Sequence, residues 1–149
     1  MNKNKDKRIV MALVLGLVLL DQIIKIIMLI SNFNFENEFI KIGIILSEKC
    51  ESNIQYILIS IIAGTTLIRY VLSKNKFIKL KNKVILSFAI AGVISNLIDR
   101  IINGYVINYI FISGFTNFNI SYVYIVITWI GMAILLTIHT SKAIREKRR

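Results

Sequence analysis

Proline is absent from this chain, and cysteine, tryptophan and histidine occur once each in 149 residues. Without proline, nothing of that kind interrupts the long apolar runs. The single Cys50 excludes an intramolecular disulfide. It is expected to be a thiol without a role, because LSEKC places Lys49 where a lipid-attachment box needs a small residue. Acidic residues are few, 8 against 19 lysines and arginines, for a formal net charge of +11. What fills the chain is hydrocarbon: 56% of residues are hydrophobic and mean hydropathy is +0.68. That is too apolar for a soluble domain of this size.

Four apolar segments, Ile9–Ile30, Ile54–Leu72, Val84–Ile102 and Ile120–Ile138, each approach the ~20 residues that cross ~30 Å of hydrocarbon. In lipid each must be a helix, since no water satisfies the backbone. Their isoleucine and valine content favours strand in water, but length overrules it. The first segment is too long for a signal-peptide core and lacks a small-residue cleavage site, so it is expected to be retained. The fold class expected is an all-α membrane protein, one domain over residues 1–149.

The basic residues cluster in alternate segments. Lys3, Lys5, Lys7 and Arg8 precede the first span. Lys74, Lys76, Lys79, Lys81 and Lys83 join the second to the third, and Lys142, Arg145, Lys147, Arg148 and Arg149 follow the fourth. The positive-inside rule then puts both termini in the cytoplasm, with the basic clusters at the anionic inner leaflet. That distribution argues against a nucleic-acid partner and for membrane lipid.

The first outward loop, Ser31 to Asn53, alternates apolar and polar residues in NFNFENEFIKIGIIL, a strand signature. A small β-structure on the outer surface is expected there. The other outward loop, Asn103 to Asn119, is uncharged and aromatic and should lie in the interface, turning at Gly104 and Gly114.

Charges inside a span are costly and need a reason. Asp21 and Lys25 stand i,i+4 on the first span and are expected to pair and face the bundle. Asn96 and Asp99 share a face of the third span, with Arg100 beside them. At ~1.5 Å rise per residue, Asp21 and Asn96 both lie roughly 18 Å from the inner end. Asp21, Lys25, Asn96, Asp99 and Arg100 are thus expected to form one polar layer, joined by Asn119 and Tyr122 from the start of the fourth span. Such a layer serves either as interhelical glue or as a site. Arg69 is expected to snorkel, His139 to be interfacial and Trp129 to pack in mid-helix.

These elements resemble the lipoprotein signal peptidase (signal peptidase II) family over nearly the whole chain. LDQIIK at Leu20–Lys25 is similar to that family's Asp–x–x–x–Lys element. SNLIDRIINGYVINYI is similar to G-N-L-x-D-R-x-x-x-G-x-V-x-D-x-I, with Ser95 replacing the first glycine. FNIS followed by Tyr122 is similar to F-N-x-A-D. The resemblance implies a bacterial inner-membrane aspartic peptidase that cleaves diacylglyceryl-prolipoproteins before the lipidated cysteine, without metal or cofactor. Mapped residue by residue, the catalytic aspartates fall on Asn108 and Tyr122, an additional acidic position on Phe111, and a first-loop Asn–x–Gly on Lys41–Ile42–Gly43. The scaffold positions Asp21, Lys25, Asn96, Asp99, Arg100, Gly104 and Asn119 survive.

An amide is no base, and a phenol with a reference pKa near ~10 is a poor one. General acid–base catalysis contributes roughly 10²–10⁴-fold. The reading is therefore a catalytically silent homologue that binds lipoprotein, lipid or a peptide inhibitor, with an active peptidase as a conceivable partner. Its alternatives are a divergent active peptidase, in which Asp21 or Asp99 works with Tyr122 or Asn108, and a small structural membrane subunit.

Overall fold

The computed structural model describes residues 3–46, 53–72, 80–115 and 117–147. Cys50 and the lysines at 74, 76 and 79 lie outside the described residues, as do the side chains of Arg69 and His139. Four helices, α1 (Lys3–Ser31), α2 (Asn53–Leu72), α3 (Leu80–Asn103) and α4 (Ile120–Lys147), carry three strands, β1 (Phe35–Glu36), β2 (Ile40–Leu46) and β3 (Ile107–Ile112). Two helices, over Lys5–Ser31 and Leu80–Asn103, are long and apolar enough to cross a membrane. In α2 and α4 the shorter stretches Gln55–Ile68 and Ile120–Leu135 are apolar.

Helix α3 is the axis of the bundle and packs against the other three. Val10, Leu86 and Ile90 form one buried cluster with Leu67, Ile68 and Met132 around it. Val18, Ala91 and Tyr124 form a second cluster nearer the sheet. Helices α3 and α4 approach closely at Gly92, where a Cβ would stand 2.5 Å from the Ser121 carbonyl oxygen. No side chain fits there without parting the helices. Thr128 adds a polar tie, its Oγ1 donating to the Ile85 carbonyl at 3.0 Å.

The outer faces of these helices are as apolar as the core. Met11, Leu15, Ile62 and Ile130 are exposed. Trp129, expected to pack, is 73% exposed. The correction has a simple cause: against lipid tails a large apolar side chain gains little by turning inward, so hydrophobicity does not decide which face is buried.

The strand signature is found at β1 and β2. Asn37 makes the turn between them, its Oδ1 accepting from the N–H groups of Phe39 and Ile40 at 2.9 and 2.7 Å, an Asx turn. For the second outward loop the sequence named an interfacial position and two turns, but no strand. The loop supplies β3, which pairs antiparallel with β2, giving a sheet in the order β1-β2-β3. A register shift between Ile42 and Ile45 places Asn108 opposite Ile45. The turn expectations hold: Gly104 and Gly114 have φ of 79° and 84°. Gly104 ends α3, donating its N–H to the Arg100 carbonyl at 3.1 Å, the left-handed cap that glycine allows without a Cβ penalty.

Candidate functional site

Helices α1 and α3 run side by side, so residues at equal depth meet. Lys25 Nζ lies 2.8 Å from Asp99 Oδ2 and 3.3 Å from Asn96 Oδ1, and it also pairs with Asp21 Oδ2. An ammonium has three hydrogens, and these acceptors use all of them. Lys25, Asp21 and Asp99 are each at most 1% exposed. Asp21 and Lys25 pair and face the bundle as their spacing predicts, but they are not an isolated couple. The lysine is shared between two carboxylates, leaving a formal charge of −1.

Neutral donors surround that surplus. The Ile107 N–H donates to Asp99 Oδ2 at 3.1 Å, Gln22 Nε2 to Asp99 Oδ1 at 3.0 Å, and Ser95 Oγ to Asp21 Oδ2. Gln22 Nε2 also lies 2.8 Å from Ser95 Oγ. Asp21 Oδ1 is buried and has no hydrogen-bond partner. Gln22 and Ser95 were missed as site residues. Their signal was available, since a polar side chain inside a ~20-residue apolar run needs a partner.

Asn119 joins this cluster to β3 and α4. Its Nδ2 lies 3.0 Å from Asn96 Oδ1, 2.9 Å from the Ile107 carbonyl and 3.2 Å from Asn108 Oδ1. Its Oδ1 accepts from the Tyr122 N–H at 3.2 Å, which makes it the N-cap of α4. Beside it, the buried Tyr109 hydroxyl accepts from the Ile120 N–H at 3.1 Å. Burial pushes the Tyr109 phenol up from 10.0 to about 12. The Asp21 and Asp99 charges add to the rise, and the Ile120 hydrogen bond offsets part of it.

Two other residues named for the polar layer have their side chains outside the Lys25 cluster. Arg100 pairs with neither carboxylate. Its Nη1 donates to the Asn96 carbonyl at 3.3 Å and its guanidinium stands 6.0 Å from the Tyr56 ring centroid. Tyr122 does not join the polar layer. Its side chain lines a cavity of about 410 Å³ with Ile112, Phe115, Phe118, Val123 and Val126, all apolar. Asn108 is buried at the polar cluster, whereas Tyr122 is partly exposed in an apolar groove, and their side chains share no hydrogen bond among the described residues. Lys41 and Gly43 lie on β2, away from the Lys25 cluster in their contacts: Lys41 pairs with Glu36 at 3.1 Å.

The family model for signal peptidase (SPase) II matches residues 13–139. The chain belongs to the signal peptidase II family. Two solved structures are similar to it. One, a bacterial membrane enzyme determined by the in meso method at 2.3 Å resolution, is 25% identical, with a TM-score of 0.77 over 89% of this chain and 90% of that one. A second bacterial membrane enzyme, determined by the same method at 1.9 Å resolution, is also 25% identical, with a TM-score of 0.74 over 85% and 91% of the two chains. No protein of curated function matches the chain. Every residue of the polar cluster, from Asp21 to Asn119, falls within the segment matched by the signal peptidase II model.

Proposed function

We propose that this chain is a catalytically silent member of the signal peptidase II family. It crosses the bacterial inner membrane four times with both termini in the cytoplasm. At the outward end of its bundle it holds a diacylglyceryl-modified polypeptide without cutting it. The observation that carries this reading is that neither position to which the family's catalytic aspartates map holds a carboxyl, and that the two residues there have different surroundings. Asn108 is a buried amide accepting from Asn119, and Tyr122 lies in the apolar groove. An aspartic mechanism needs two carboxyls that share a proton across one site.

The carboxylates that remain are poorly placed to substitute. Asp21 and Asp99 are both engaged by Lys25 and buried below solvent reach. Lys25 Nζ stands between the two carboxylates, in the place where a working dyad would share its proton and hold its water. The apolar groove, about 410 Å³, offers space for hydrocarbon beside Tyr122.

Cleavage of a diacylglyceryl-cysteine lipopeptide tests the proposal, with the unmodified protein beside an Asn108→Asp/Tyr122→Asp variant. No turnover by the native chain, retained lipopeptide binding, and turnover by the variant are expected. The Asn108→Asp change keeps an acceptor for Asn119 Nδ2, so the local network tolerates it. Turnover by the native chain, or no lipopeptide binding in detergent and nanodiscs, overturns the reading.

A further inference from the structure

A second hollow lies where the chain leaves α1. It encloses about 230 Å³ and is lined by Asn32, Phe33, Asn34, Lys41 and Ile44. It differs from the groove at Tyr122 in holding an ammonium and two carboxamides. Asn32, directly after the last residue of α1, has a left-handed φ of 48°. Asn34 lies across Gly43 of β2, where a Cβ would stand 2.9 Å from Asn34 Oδ1 and 3.3 Å from the Phe33 carbonyl oxygen. Neither asparagine side chain has a hydrogen bond within the described residues.

Its depth follows from α1. The apolar stretch Lys5–Ser31 is 27 residues, about 40 Å at helical rise, more than the hydrocarbon thickness. One end carries the exposed Lys5, Lys7 and Arg8, and the hollow opens at the other. Phe33, Phe35 and Phe39 are exposed around it. Aromatic side chains gather at the headgroup level, which is also where lipid phosphates lie.

We propose that this hollow binds the phosphate of an anionic lipid headgroup, held by Lys41 Nζ and the carboxamides of Asn32 and Asn34. The outward placement rests on the topology proposed above; the hollow shares no lining residue with the groove at Tyr122. Lys41 already faces Glu36 across the strand pair at 3.1 Å, with both side chains substantially exposed. An exposed pair of this kind is weak, so it leaves the ammonium available to an incoming phosphate. Glu36 is then a competitor, and its removal strengthens binding.

The opposite signs of two variants make the test. The full chain is purified with phosphatidylglycerol and phosphatidylcholine vesicles as lipid sources, and retained lipid is counted by native mass spectrometry. Preferential retention of phosphatidylglycerol is expected. Lys41→Ala lowers it about ten-fold, as loss of a hydrogen bond to a charged group does. Glu36→Gln raises it roughly two- to five-fold. Misfolding cannot imitate this pattern, because it lowers retention in both. Competition by inorganic phosphate shows that the phosphate alone is recognised. Lys41-dependent retention without such competition assigns the site to lipid-borne phosphate. Equal retention of the two lipids, or retention unmoved by Lys41→Ala, overturns the proposal. A failed lipopeptide-binding experiment does not bear on it, since the two sites are read with different ligands.

Discussion

Asn119 and Tyr122 stand three residues apart at the start of one helix, yet their side chains occupy opposite surroundings. Asn119 is fully buried and its carboxamide reaches four partners, on α3, β3 and α4 itself. Tyr122 contributes its N–H to that network and turns its ring into a groove of apolar side chains. One region is a dense set of donors and acceptors around Lys25, with Asp21 Oδ1 as its one unpartnered oxygen among those named. The other is open and undemanding. The contrast teaches that position in the polar layer is set by hydrogen bonding rather than by proximity along the chain. Once Lys25 has spent its three hydrogens and Asn119 caps α4, the cluster has no evident need of a phenol.

If that contrast is right, variants in the dense region are costly and variants in the open one are cheap. Lys25→Ala has the largest expected effect, because it leaves Asp21 and Asp99 buried without a cation. Breaking a buried pair costs about 3–5 kcal/mol, read as a large fall in unfolding temperature in detergent. A change within error would break the comparison. Asn119→Ala removes both the cap and the bridge, an expected loss of about 2 kcal/mol. Asn119→Asp sharpens the point: it keeps the cap acceptor but sets a buried carboxylate against three acceptor oxygens, so it should cost at least as much as Asn119→Ala.

The next effect concerns pH. The Tyr109 phenol is raised from 10.0 to about 12 in the fold. The folded state thus holds its proton more tightly than the unfolded chain does. The stabilisation is fully present below pH 10 and is lost as pH rises toward about 12, because only the unfolded chain has released the proton there. An alkaline melting series should show this slope, and Tyr109→Phe should remove it. Smallest is Tyr122→Ala, expected to change stability by less than about 0.5 kcal/mol while weakening lipopeptide binding. A loss comparable to that of Asn119→Ala would place Tyr122 in the dense region after all.

Much of this was legible in the residues. Asp21 and Asn96 were placed at one depth by counting from the ends of their spans, and contacts at that depth are what the fold shows: Ser95 with Asp21, and Lys25 with Asn96 at 3.3 Å. The turns at Gly104 and Gly114 and the strands after Asn34 were equally accessible, because glycine and alternation report local backbone geometry. Strand β3 was not. INYIFI is short and apolar, and periodicity alone does not distinguish a strand from an interfacial loop there. Its partner β2 lies more than sixty positions earlier. The burial of Trp129 was misread because an apolar residue inside a span carries no information about which way it faces.

By itself the sequence determined the apolar segments, the alternation of basic clusters and the common depth of Asp21 and Asn96, since each follows from local composition and helical rise. Only the tertiary structure decided which charges meet. Lys25 serves Asp99 as well as Asp21, Arg100 turns away to the Asn96 carbonyl, and Asn108 joins the polar cluster while Tyr122 lines the apolar groove. Hydrogen bonds a few ångströms long depend on how α1, α3, α4 and β3 rotate against one another, and that rotation is a property of their packing, not of any one segment.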